Sequence, residues 1–301
     1  MNINDLNEKF ECNGISFTSG PGELPVAKID NQFATAEIAL HGAHVLSYVP
    51  KDQPPVLWLS KSSWFEAAKP IRGGIPLCWP WFGGHPSDQD LPSHGFARLS
   101  EWQVDATGQT SDGGSRVVFK LTENDIAAEF RDKKFELKLT VEVGTNLQVS
   151  LKMTNFGDHD LPFSAALHSY FNVSDVTAIS LDGFDGREFI DTLNDSRSIQ
   201  HGGIKINAEI DRVYLDTKDT CVISDPGFSR KIVVSKTGSR SAVVWNPWVA
   251  KSQRMPDFGD EEYHSMVCVE TTNAENDARC LAPGESHVLQ AIIKSEFLIT
   301  E

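Results

Sequence analysis

Strict alternation of apolar and polar residues decides the fold class. Phe135, Leu137, Leu139, Val141 and Val143 are interleaved with Glu136, Lys138, Thr140 and Glu142. After Gly144-Thr145-Asn146 the pattern returns, with Leu147, Val149, Leu151 and Met153 separated by Gln148, Ser150 and Lys152. Residues two apart share one face of a strand, so this stretch is a β-hairpin with one buried and one wetter face. Shorter runs over 34–40, 44–49, 117–121, 163–171, 220–224, 231–235, 241–245, 265–271 and 287–293 read as further strands. Turn residues punctuate them, as in Asp112-Gly113-Gly114 and Asp225-Pro226-Gly227. Helical periodicity is scarce, with one short candidate over 122–129. Many strands and few helices predict an all-β fold, a mostly antiparallel sandwich or barrel. No repeat, low-complexity segment or linker divides the 301 residues, so one continuous domain is expected.

The charge balance narrows the partners. With 42 acidic residues against 27 Lys plus Arg, the formal net charge is −15. That field opposes sequence-independent nucleic-acid binding and anionic membranes, both of which need a basic surface. A small anionic substrate requires a local Arg or Lys cluster that overrides it. Five cysteines without a C-x-x-C pair suggest neither a disulfide framework nor a structural zinc site. No signal-peptide pattern opens the sequence, and no apolar run approaches the roughly 18 residues of a membrane span. A cytoplasmic monomer is the expectation. The chain has no phosphate loop, no G-x-G-x-x-G and no G-x-S-x-G, so ATP hydrolysis, nicotinamide chemistry and the usual serine hydrolases lose weight.

One segment breaks the alternation. Residues 70–98 contain five Pro, five Gly and four aromatics, a composition that cannot form interior strands. Long ordered loops of this kind are usually functional. Trp79, Trp81, Phe82 and Phe96 could build an apolar wall, with Arg72 and Arg98 bracketing it; the alternative is a loop that caps one end of the sandwich.

Among candidate chemical groups, His41 and His44 form an H-x-x-H pair, but residues three apart in a strand face opposite sides, against joint metal binding. His85 and His94 lie in the odd loop without diagnostic partners. His168 shares a strand face with Ser164, Ala166 and Tyr170, a face of small and polar groups suited to a cleft floor. A structural histidine is the competing reading. Glu270 shares the face of Met266 and Cys268 in an apolar strand, where a carboxylate is costly unless paired or working. Burial would make it a better base; the alternative is a strand-end Glu in water. Asp211 fits a similar edge role, although an ordinary surface pairing with Arg212 suits its sequence neighbourhood better.

Taken together, these motifs make the chain resemble the glucose-6-phosphate 1-epimerases, or hexose-6-phosphate mutarotases, of the aldose 1-epimerase superfamily. The landmarks are Lys69-Pro70-Ile71-Arg72-Gly73-Gly74-Ile75-Pro76, Trp79-Pro80-Trp81-Phe82-Gly83 and His94-Gly95-Phe96-Ala97-Arg98. They continue with Ala166-Leu167-His168-Ser169-Tyr170-Phe171, Glu209-Ile210-Asp211-Arg212-Val213-Tyr214 and Val269-Glu270-Thr271-Thr272-Asn273-Ala274, covering roughly residues 30–295. The resemblance implies a large antiparallel β-sandwich of the galactose-mutarotase type, with His168 as general acid and Glu270 as general base. It further implies that Arg72, Arg98 and Asp211 hold the substrate, with His94 near the sugar ring. Ser93 stands where relatives often carry Gln, which puts a direct contact there in doubt. The implied reaction, interconversion of α and β anomers of hexose 6-phosphates by ring opening at C1, needs no cofactor and no metal. A non-catalytic sugar-binding sandwich, stacking substrate on Trp79 and Trp81, is the alternative; a metabolite sensor built on the same fold is another. Retention of both His168 and Glu270 favours catalysis.

Overall fold

The computed structural model describes residues 1–298. Two eight-stranded sheets form a β-sandwich, joined by a four-stranded sheet near the N-terminus and a two-stranded ribbon. Every pairing between the named strands is antiparallel. The alternating hairpin is present as Phe135–Val143 and Leu147–Asn155, in register from Phe135 opposite Asn155 to Val143 opposite Leu147. Its inward residues are fully buried, as the period-two pattern requires. One of the large sheets continues from this hairpin through Ser286–Phe297 and Arg230–Thr237 on one side, and Ser115–Thr122 on the other.

The second large sheet carries the site. Its central strands run in the order Ile210–Tyr214, Ser241–Asn246, Met266–Asn273, then Ala165–Leu167 and Leu77–Cys78. Met266–Asn273 is buried along its whole length because it has cover on both faces. Val267 and Val269 join the main core, while Met266 and Cys268 join a second apolar cluster with Val213, Val243, Trp245 and Tyr170. Alternation thus sorts each central strand into a side that holds the sandwich together and a side that faces a cavity.

Two local expectations need correction. The helical candidate over 122–129 is instead two single 3₁₀ turns, Glu123–Asp125 and Ala128–Phe130; the Thr122 hydroxyl caps the first, and neither extends into an α-helix. The α-helices among the described residues are Ile3–Phe10, started by an Asn2/Asp5 capping box, and Trp248–Ser252. The 163–171 run is not one strand but three pieces, Leu161–Phe163, Ala165–Leu167 and Tyr170–Asn172.

Candidate active site

The broken strand is what aims His168. Leu167 pairs with Thr271, and Tyr170 pairs with Cys268, so His168 and Ser169 fall in an irregular interval opposite Val269 and Glu270. The His168 amide turns away to the Pro76 carbonyl (3.1 Å), while the Val269 amide bonds the Ser169 carbonyl (3.2 Å). The imidazole is thereby laid on the Tyr170 ring, with centroids 4.8 Å apart and planes within 8°. Its Nε2 lies 3.3 Å from Glu270 Oε1.

Period two then brings the neighbours. Asp211 and Val213, Val243 and Trp245, and Cys268 and Glu270 share the concave side of three adjacent strands. With His168, Tyr170, Arg72 and His94, most of these line a cavity of about 380 Å³. Glu270 is therefore no strand-end carboxylate in water: it is mid-strand and 2% exposed. Asp211 is not paired with Arg212 either. It faces the cavity, 3.7 Å from Lys251 Nζ, while Arg212 points to the other side of the sheet, against Phe189 and Asp191.

The proline- and glycine-rich segment is pinned from below by the two histidines of H-x-x-H. His41 Nε2 bonds the Lys69 carbonyl and His44 Nε2 the Gly73 carbonyl, both at 2.7 Å. They act separately on one loop rather than together on an ion. Gly74, at φ +60°, lies where a Cβ would meet the Val45 carbonyl oxygen at 2.1 Å, so only glycine fits. Arg72 emerges here and is held in place: Nε and Nη2 donate to Asp257 (3.2 and 3.3 Å) and Nη1 to the Tyr170 hydroxyl (3.0 Å). The aromatic wall differs from expectation. Trp79, Trp81 and Phe96 pack into the main core, and only Phe82 of the four reaches the cavity. Trp245 and Tyr170 supply the remaining aromatic surface.

Arg98 and Ser93 lie outside the cavity lining. Arg98 Nη2 donates to the Ser93 carbonyl (2.7 Å), and the Ser93 hydroxyl donates to the Gly83 carbonyl (3.2 Å). Arg98 is still close enough to act electrostatically: burial, then Arg98 and Arg72, hold His94 down to about 3. His94, at φ +63°, presents its ring 5.7 Å from that of His168. His85 is half-buried, with its ring edge-on to Trp81, and caps its own turn.

Burial, then the Asp211 charge, pushes the Glu270 carboxyl well above its ordinary range. Burial, then the His94, Arg72 and Arg98 charges, pushes the His168 imidazole well below. An acid that resists ionising beside a base that resists protonation shares one proton over a wide pH range. His168 Nδ1 and Glu270 Oε2 are buried without a partner. Such a pair can take a proton from one oxygen and give one to another.

Sequence reading missed Trp245, Lys251 and Asp257. Trp245 was accessible through alternation with Val243. Lys251 sits in the five-residue helix Trp248–Ser252 and Asp257 in the loop that follows, both too short on pattern to signal which side chain points inward.

Residues 25–294 match the profile of the family described as "Aldose 1-epimerase". A protein of Escherichia coli (strain K12), named "Putative glucose-6-phosphate 1-epimerase", is 36% identical over 272 residues, 90% of each chain. One of the same name from Cenchrus ciliaris is 34% identical over 262 residues, covering 83% of this chain and 78% of the relative. Among solved structures, a "putative mutarotase" from Salmonella typhimurium superposes with a TM-score of 0.88 at 32% identity, covering 95% of each chain. The galactose 1-epimerase of Lactobacillus acidophilus NCFM has a TM-score of 0.72 at 13% identity, over 94% of this chain and 98% of that one; this is a likeness of fold.

Proposed function

The chain belongs to the aldose 1-epimerase family, and on that premise we propose that it interconverts the α and β anomers of hexose 6-phosphates, glucose 6-phosphate foremost. The observation that carries the reading is the 3.3 Å contact between His168 Nε2 and Glu270 Oε1 on the wall of the cavity. A pyranose seated there presents its C1 hydroxyl to Glu270 and its ring oxygen to His168. From the tautomer with the shared proton on His168, Glu270 takes the hydroxyl proton as His168 gives its own to the ring oxygen, the C1–O5 bond opens, and the aldehyde rotates about C1–C2. Closure on the other face reverses both transfers. The pair holds one proton before opening and one after it, so turnover needs no exchange with bulk water. Each well-placed group contributes about 10²–10⁴-fold.

Asp211 and His94 are assigned to the ring hydroxyls, and Tyr170 and Trp245 to its apolar face. The phosphate falls to Arg72, with Arg98 acting on it from outside the cavity lining. Asp257 and Tyr170 occupy three donors of Arg72 and pre-orient the guanidinium, leaving N–H groups for an anion. Arg98 adds positive charge behind the loop and sets its shape through Ser93. The relatives' names and this cationic side of the cavity support the phosphate assignment. We treat the chain as one catalytic unit, because a single apolar cluster runs from Leu6 to Ile293.

Equilibration of freshly dissolved α-glucose 6-phosphate, followed with and without the protein, tests the reaction. A higher kcat/KM for hexose 6-phosphates than for free hexoses is expected, with Arg98→Ala erasing most of the preference. Equal wild-type efficiency on glucose and glucose 6-phosphate would overturn the phosphate assignment.

A further inference from the structure

Beneath the proton-transfer pair lies a thiol that the reaction does not use. Cys268 precedes Glu270 by two residues on the same strand face and is completely buried. One ligand atom each from His168, Cys268 and Glu270 lie within 4.8 Å of one another, the one such trio among the described residues. We propose that His168, Cys268 and Glu270 form a three-ligand site for a thiophilic divalent cation such as zinc, and that its occupancy switches the enzyme off.

Three features support the site. First, its donor set of one imidazole, one thiolate and one carboxylate suits zinc rather than magnesium or calcium. Second, bonds of about 2.0–2.3 Å to a tetrahedral ion place its ligands about 3.3–3.6 Å apart, and the His168–Glu270 contact is already 3.3 Å. A closure of about 1 Å by the thiol or carboxylate completes the triad. Third, the buried Glu270 Oε2 has no hydrogen-bond partner, so this carboxylate has an oxygen whose lone pairs stand unused. The cavity supplies the entry path and the open fourth position, since both residues line it.

Binding is a proton exchange. The Cys268 thiol, kept protonated by burial and then by the Glu270 charge, releases its proton to solvent as the sulfur–metal bond forms, and the proton shared by His168 and Glu270 leaves with it. The bound ion takes the lone pairs with which Glu270 would accept the C1 proton and His168 would carry its own. A free thiol here is harmless to turnover, whereas a metallated one removes acid and base together.

The inhibitory consequence rests on the epimerase reading; the site itself does not. In a Cys12→Ala/Cys280→Ala background, which removes the two cysteines that are not buried, Zn²⁺ is expected to bind at one ion per chain by calorimetry. It should slow anomer equilibration, with full recovery on adding chelator, and Mg²⁺ should do neither. Co²⁺ in the same position should give a thiolate-to-metal absorption band, absent from Cys268→Ala and weakened in Cys268→Ser. Loss of the thiol should weaken Zn²⁺ binding at least about tenfold, with inhibition read against each variant's own metal-free rate. Unchanged Zn²⁺ affinity in both Cys268 variants, or no stoichiometric binding, overturns the site. A Co²⁺ band on a protein that epimerises no sugar would uphold the site and sink the reaction instead.

Discussion

His168 and Glu270 are each expected to be replaceable without loss of fold and not without loss of rate. His168→Asn and Glu270→Gln should lower kcat by at least about 10²-fold, and a folded variant with near-wild-type turnover would remove its residue from the mechanism. The pH profile should be bell-shaped. On the proposed mechanism activity needs one proton on the pair, so the acid limb follows addition of a second proton to an imidazole held well below 6.5. The alkaline limb follows loss of the proton from a carboxyl held well above 4.5. A rate that falls as pH drops through 6.5 would contradict the depressed imidazole. Both residues were visible in the sequence because a charged group interrupts a run of apolar or small ones. The true setting of Asp211 was not, because its neighbour Arg212 looks like a partner until the strand separates them onto opposite faces.

At the scale of elements, the strand that looks continuous from 163 to 171 had to break for His168 to meet Glu270, and no local residue announces the break. The Pro/Gly-rich segment shows the reverse: its composition marked it as unusual, but its aromatics went mainly to the core. Tryptophan and phenylalanine are buried wherever the chain permits, and composition does not say into which cavity. The backbone approach at Gly74 is the firmest element-level constraint. Gly74→Ala should cost at least about 2 kcal/mol in denaturant unfolding, since the strand carrying Val45 cannot retreat from the new methyl group without losing its pairing with Ala34–Ala39. A midpoint equal to wild type would show that the loop is softer than its packing implies.

Across the whole molecule, the antiparallel sandwich was legible from alternation alone, whereas strand order was not: on one side Met266–Asn273 pairs with Ala165–Leu167 and Tyr170–Asn172, far back along the chain, and period two carries no address. The buried pair also sets a stability cost. The unfolded Glu270 ionises above 4.5 while the folded one resists, so stability is lost as pH rises from there toward the folded value. Glu270→Gln removes that penalty, and Tm at neutral pH should rise by at least about 2 °C, with the gain shrinking as pH falls toward 4.5. A lower Tm at neutral pH would mean that the carboxyl's hydrogen bonding outweighs its desolvation.

Trp245 stands on the cavity wall with its ring 6.2 Å from that of His168 and 5.6 Å below the Lys251 ammonium. An indole's emission is quenched by a nearby protonated imidazole and shifts in colour when water is displaced from its face. The protein therefore carries its own optical reporter: sugar phosphate entering the cavity should change the tryptophan fluorescence, and the change should vanish in Trp245→Phe although six other tryptophans remain of the seven. Stopped-flow recording of that signal would time substrate arrival separately from ring opening, with no label attached to either partner.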